Sequence, residues 1–222
     1  VTKEAEMAGL KFTVKVFGDY QTPDAALASG EIDANSYQHE PFLQAYNANN
    51  KTDLVVAGKT YLAPLALYSK KIKSASEIKD GATIAIPNDP SNGGRALQLL
   101  AKQGWIELKP DVPATKVTKA DITKYVKKIK IVEIEAPQLP RALPDVAAAA
   151  VNGTYARPAG LSIAKQGVLV ESAKGSAYAN VLVVRTADKN KPWVKTFIKA
   201  YHQPNVKAFI EKRFGDSTFP AW

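Results

Sequence analysis

The chain has 222 residues, 45% hydrophobic and 23% charged, which is the balance of a globular protein with material for one large domain or two lobes of ordinary size. Its formal net charge is +9, but the lysines are spread along the chain. No RNA-binding aromatic signature or DNA-reading helix accompanies them, so nucleic acid is not expected as a partner. There is no cysteine, which excludes disulfides, thiolate metal sites and cysteine nucleophiles, and the longest apolar run, VAAAAV at 146–151, is far too short to span a membrane.

Short apolar strands alternate with helical stretches, a pattern that predicts an α/β protein with largely parallel sheets. The opening residues read as the last turns of a helix stopped at Gly9, as if an N-terminal piece preceded them. FTVKVF (12–17) alternates with period two and predicts a strand. A helix over 23–30 begins at Pro23, and 38–50 has Phe42, Leu43 and Tyr46 at helical spacing. Residues 53–58 read as a strand and 61–69 as an extended segment broken by Pro64. A short helix at 75–81, a buried strand at 82–87 and a helix at 91–103 follow. The polar stretch 107–116 precedes a helix near 118–127, whose lysines form a wet face, and a strand at 130–136. Residues 137–146 read as a proline-broken helix and 147–156 as a strand entering a turn. Strands at 167–172 and 178–185 and helices at 190–202 and 204–213 finish the chain.

This order implies two α/β lobes, the middle of the chain inserted between start and end. Lobe 1 is expected over 1–62 plus 183–222 and lobe 2 over 63–182, with linkers near 59–64 and 180–185. Ligands of such proteins sit at strand carboxyl ends and helix N-termini.

The segment NDPSNGGRAL (88–97) draws the eye because Arg95 follows two glycines near a helix start, where the macrodipole is already positive. It is not a phosphate loop, lacking both Gly-Lys-Ser/Thr and GxGxxG. A guanidinium there either faces solvent or holds a carboxylate, and spacing alone leaves these readings level. His39–Glu40 is half of an HExxH pattern, but position 43 is Leu43 and Pro41 breaks the local helix, so a metalloprotease is rejected. A metal site from His39, Glu40 and His202 has weak support, and a histidine with a backbone partner is favoured. No GxSxG elbow is present, and Glu31 with Asp33 reads as a solvated turn. No enzyme, cofactor or metal is expected. Asn152 precedes Gly153 as a turn asparagine would, whereas Asn180 opens an apolar strand with no turn signal.

GEIDANSYQHEPFLQAYN, LYSKKIKSASEIKDGATIAIPNDPSNGGRALQLL, IVEIEAPQLPRAL and YANVLVVR resemble the NlpA-type methionine-binding lipoproteins, the substrate-binding components of methionine ABC importers. The resemblance runs in order over nearly the whole chain. It implies a bilobal periplasmic-binding-protein fold that captures methionine or a close analogue in an interlobe cleft and hands it to an importer permease. It also implies a periplasmic or cell-surface location through an N-terminal lipid anchor missing from this chain. Residue by residue, Arg95 matches the arginine that clamps the ligand carboxylate. Asn152 and Asn180 match asparagines that contact the polar head. Tyr37 and His39 match side-chain-pocket residues, and Tyr61 falls where the family has an aromatic or a histidine. Ser36 and Ala63 depart from the family pattern and would enlarge the pocket or alter its polarity.

The family's first strand precedes Val1, so the first lobe is expected to lack its N-terminal strand. A strand-exchanged dimer is one way to fill that gap. Two alternatives remain open at this point: another amino acid or short peptide as ligand, or a basic surface protein contacting host or anionic polymers.

Overall fold

The computed structural model describes the backbone of residues 1–222 and every side chain except that of Asp216. In chain order the strands are β1 (Ala34–His39), β2 (Val55–Lys59), β3 (Tyr61–Leu62), β4 (Ala66–Tyr68), β5 (Thr83–Pro87), β6 (Ile106–Leu108), β7 (Ile122–Tyr125), β8 (Lys130–Ile134), β9 (Ala148–Val151), β10 (Gly167–Val170), β11 (Asn180–Val184) and β12 (Phe219–Pro220). The α-helices are α1 (Thr2–Met7), α2 (Thr22–Ala28), α3 (Glu40–Asn50), α4 (Pro90–Lys102), α5 (Leu139–Ala142), α6 (Gly153–Ala156), α7 (Ile163–Gln166), α8 (Pro192–Tyr201) and α9 (Pro204–Phe214). Contacts divide the chain into two compact units, Val1–Ala63 with Gly175–Trp222, and Pro64–Lys174. The second boundary thus lies at 174/175, where the sequence reading places 182/183. β11 is paired on both sides by strands of the first unit, so it carries Asn180 into that unit.

The first unit is organised by a three-stranded sheet in the order β1-β11-β2, antiparallel throughout, with a separate β3–β12 pair. Val181 and Val183 point into a core with Leu27, Leu43 and Leu54. β11 is buried at every position, as a central strand covered on both faces must be. The register of β1 against β11 shifts between Asn35 and Gln38, the stretch that carries Ser36 and Tyr37.

The second unit is built on a five-stranded sheet in the order β10-β4-β9-β5-β8. β9 is made of AAAV, all four residues with no exposed surface, and lies between β4 and β5. The core beside it joins Leu65, Leu67, Ile84, Ile86, Leu97 and Leu100, so one apolar stripe of α4 closes one face of the sheet. Only the pairings of β5, with β8 and with β9, are parallel among the described residues. The expectation of largely parallel sheets is therefore corrected. Parallel pairing needs a long crossover, which α4 helps to supply between β5 and β8.

Three local expectations also change. Residues 12–17 alternate like a strand but pair with no described residue, and Val14 and Val16 stand 67% and 87% exposed. A strand needs a neighbour for its ladder, and period-two alternation does not provide one. The helix expected near 118–127 is instead a 3-10 turn at Lys119–Asp121 followed by β7, which forms a hairpin with β6. Of the lysines read as a wet helix face, Lys124 lies exposed on β7, Lys127 and Lys128 follow it in the connection to β8, and Lys130 opens β8. The extended segment 61–69 splits at Pro64 into β3, which pairs with β12, and β4, which pairs with β9 and β10.

Candidate functional site

In the second unit the site is assembled at the start of α4. Asp89 caps the helix, its Oδ1 accepting from the Asn92 backbone N–H at 2.9 Å, with Pro90 at the first helical position. Gly93 and Gly94 then let this turn press against its surroundings. A Cβ on Gly93 would lie 2.9 Å from the Pro87 carbonyl oxygen, and one on Gly94 only 2.5 Å from that of Val117. The helix starts at Pro90, so Arg95 lies in its second turn rather than its first.

Arg95 is 4% exposed, and what rests beside it is the chain's own Glu171. Arg95 Nε donates to both carboxylate oxygens at 3.1 and 3.0 Å, and Nη2 to Oε2 at 2.5 Å. Glu171 is fixed in turn, since Oε2 accepts from the Leu65 N–H at 3.1 Å and its own N–H donates to the Leu65 carbonyl at 2.9 Å. The guanidinium plane is thus set by a carboxylate tied to the backbone beside β4. Sequence reasoning missed Glu171. Its one signal was an acid directly closing the apolar strand GVLV.

Asn152 leaves β9 and caps α6, its carbonyl accepting from the Tyr155 and Ala156 N–H groups at 2.9 Å each. Its side chain is 8% exposed, and Nδ2 donates to Asn92 Oδ1 at 2.8 Å. Asn152 Oδ1 is buried with no hydrogen-bond partner among the described residues. A buried acceptor left in that condition costs about 1–3 kcal/mol unless something donates to it.

In the first unit, Asn180 and His39 face each other across β11 and β1, and Asn180 Nδ2 donates to the Tyr37 carbonyl at 3.2 Å. His39 is 4% exposed; its Nδ1 accepts from the Phe42 N–H at 3.2 Å and so caps α3. The backbone partner favoured for it from sequence is present. Its ring meets Tyr178 edge-on at 5.0 Å. Tyr37 packs with Tyr20 and Phe42 at centroid distances of 5.8 and 6.0 Å, and its hydroxyl donates to the Tyr20 carbonyl at 2.8 Å. Burial pushes this phenol far above its ordinary range, and the Asp24 charge adds to the shift. Tyr61, on β3, follows Thr60, whose N–H donates to the Asn180 carbonyl at 2.8 Å.

Beneath Tyr37 lies a second buried polar cluster that sequence reading did not anticipate. Asp24 has no exposed surface, and its Oδ1 accepts from Asn35 Nδ2 at 2.8 Å and Gln38 Nε2 at 2.5 Å. Asp24 Oδ2 and Gln38 Oε1 meet no donor among the described residues. Burial raises the Asp24 carboxyl above its ordinary value, against the lowering effect of the Asn35 and Gln38 hydrogen bonds.

The structure therefore gathers Arg95 and Asn152 about the α4 start in one unit, and Tyr37, His39, Asn180 and Tyr61 about the β1–β11 ladder in the other. No group of three or more His, Cys, Asp or Glu residues among the described residues is placed to hold a metal ion. No helix among them is long and apolar enough to cross a membrane.

Buried, pre-oriented polar side chains at strand ends and a helix start, in a two-unit α/β chain, define a ligand-binding protein. The model of the NlpA lipoprotein family matches residues 1–222, and the chain belongs to that family. It is 45% identical over 219 residues to the D-methionine-binding lipoprotein MetQ of Salmonella typhi, covering 98% of this chain and 80% of the relative. Among solved structures, a nutrient binding protein from Burkholderia cenocepacia bound to methionine is similar at 46% identity and a TM-score of 0.95, covering 100% of this chain and 92% of that one. An ABC transporter periplasmic substrate-binding protein from Coxiella burnetii is similar at 45% identity and a TM-score of 0.93, covering 99% and 94%.

Proposed function

We propose that this protein is an extracytoplasmic substrate-binding component of an ABC importer and that its ligand is methionine. The observation that carries the reading is the pairing, in one unit, of a buried guanidinium with a buried amide oxygen that lacks a donor. Those are the complements of an α-carboxylate and an α-ammonium. Arg95 takes the carboxylate, Asn152 and Asn180 hold the polar head, and Tyr37, His39 and Tyr61 meet the thioether. Sulfur beside aromatic rings contributes on the order of 0.3–1.5 kcal/mol per contact, so the charged head supplies most of the class selectivity. The matched family is one of lipoproteins, and attachment through an N-terminal lipid belongs to the same proposal, as does delivery to an importer permease.

Titration calorimetry with L-methionine tests this. Truncating Arg95 alone would strand the Glu171 charge, so the informative variant is Arg95→Met/Glu171→Leu, which removes both. The native chain is expected to saturate with methionine and the folded double variant to give no heat. Native affinity in that variant overturns the assignment of Arg95, and an amino acid or short peptide that outcompetes methionine moves the ligand.

A further inference from the structure

Asn152 and Asn92 each carry an amide whose oxygen and nitrogen differ little in shape but are opposite in role. Which end faces which way is decided by their partners. The partner at one end here is Asp89, whose carboxylate caps α4 and only accepts. Asn92 Nδ2 donates to Asp89 Oδ1 and Oδ2 at 3.0 and 3.1 Å, and the Ser91 hydroxyl donates to Oδ1 at 3.0 Å. The Asn92 oxygen must then point away from Asp89. It accepts from Asn152 Nδ2 at 2.8 Å, which turns the Asn152 oxygen outward as the buried acceptor without a partner. Asn92 is 2% exposed and Asn152 8%, so bulk water does not scramble the order.

We infer that Asn92 is a positioning residue for ammonium recognition, transmitting the polarity of Asp89 so that Asn152 Oδ1 faces the ligand's α-ammonium. A neutral chain of amides would show either end with similar ease. The carboxylate at its root makes one end the stable one, and the site thereby selects a cationic donor over a second acceptor. The inference rests on the amino-acid reading above.

The test compares L-methionine with 4-(methylsulfanyl)butanoic acid, the same molecule without its ammonium, by calorimetry on the native protein, Asn92→Ala and Asp89→Asn. A hydrogen bond to a charged group corresponds to about 10- to 100-fold in affinity, so native protein is expected to prefer methionine by that factor or more. In Asn92→Ala the preference is expected to shrink about tenfold, while the dissociation constant of the des-amino acid moves little. Asp89→Asn retains a capping side chain but removes the polarity, so it tests the same ratio with the helix start preserved, and a smaller fall in preference is expected.

Equal losses for both compounds in both variants would mean general disruption and overturn the positioning role. Equal binding of both compounds by native protein would leave the amino-acid reading standing and show that the Asn152 oxygen serves water only. Absence of methionine binding by native protein would instead remove the amino-acid reading itself, before any variant is made.

Discussion

The two units bury charge in opposite ways. In Pro64–Lys174, Arg95 meets its complement in Glu171, each oxygen of which receives a donor, and Glu171 is itself held by the Leu65 backbone. In the other unit, Asp24 is buried among the Asn35 and Gln38 amides and the Tyr37 phenol, one of its oxygens meets no donor among the described residues, and its carboxyl is raised. A buried ion with its counter-ion costs most when the pair is broken, whereas a buried carboxyl without a counter-ion sheds its charge first. The first arrangement keeps a cation fixed and ready, and the second makes an acid harder to ionise.

The largest expected effect comes from breaking the ion pair on one side. Glu171→Ala should lower unfolding free energy by about 3–5 kcal/mol in urea titrations, because it strands the Arg95 charge. Arg95→Met/Glu171→Leu should cost far less than that single change, and equal costs would show that the pair's burial is not the governing term. Next comes the close approach that seats the α4 start. Gly94→Ala places a Cβ 2.5 Å from a backbone oxygen and should cost about 1–3 kcal/mol, read from the same titrations.

Asp24→Asn sharpens the other side of the comparison. The amide keeps an acceptor for Asn35 and Gln38 and removes the buried charge, so it should stabilise at neutral pH by about 1 kcal/mol. The sign with pH follows from the raised carboxyl. Between the ordinary value of 3.8 and the raised native value, the folded state binds more protons than the unfolded state. The contribution of Asp24 to stability is therefore full below that window and lost as pH rises through it. Unfolding free energies measured from acid to neutral pH should show native protein falling relative to Asp24→Asn, and parallel curves would contradict the account. The smallest effect belongs to Tyr37→Phe, which removes the hydroxyl bond to the Tyr20 carbonyl and should cost about 0.5–1 kcal/mol in thermal or urea unfolding.

Much of the architecture was legible because its signals are local. The strand expected at 82–87 is β5 and the helix at 91–103 is α4, bounded by Asp89, Pro90 and a run of leucines at helical spacing. What was not legible depends on partners distant in sequence. Residues 12–17 have the pattern of a strand without a ladder, and β7 has the lysine pattern of a helix but the neighbour of a hairpin. The candidate site divides in the same way. Arg95 stood out against the local helix field, but Glu171 is 76 residues away and Asn92 meets Asn152 across 60. Nothing near Arg95 in the sequence says that its partner is an internal carboxylate, and nothing near Asn152 says which end of its amide is used. Asp24 carries no local signal of its burial, since an acid in the first turn of a helix is common on a solvated face and only packing distinguishes the two.

The central claim is that this protein holds an amino acid by its charged head, with methionine as the ligand. Mass spectrometry of small molecules released when the purified protein is denatured tests it most directly. The account predicts methionine, near one molecule per chain once the protein has been loaded with it. An extract without any amino acid after such loading, and without binding heat on titration, would contradict it.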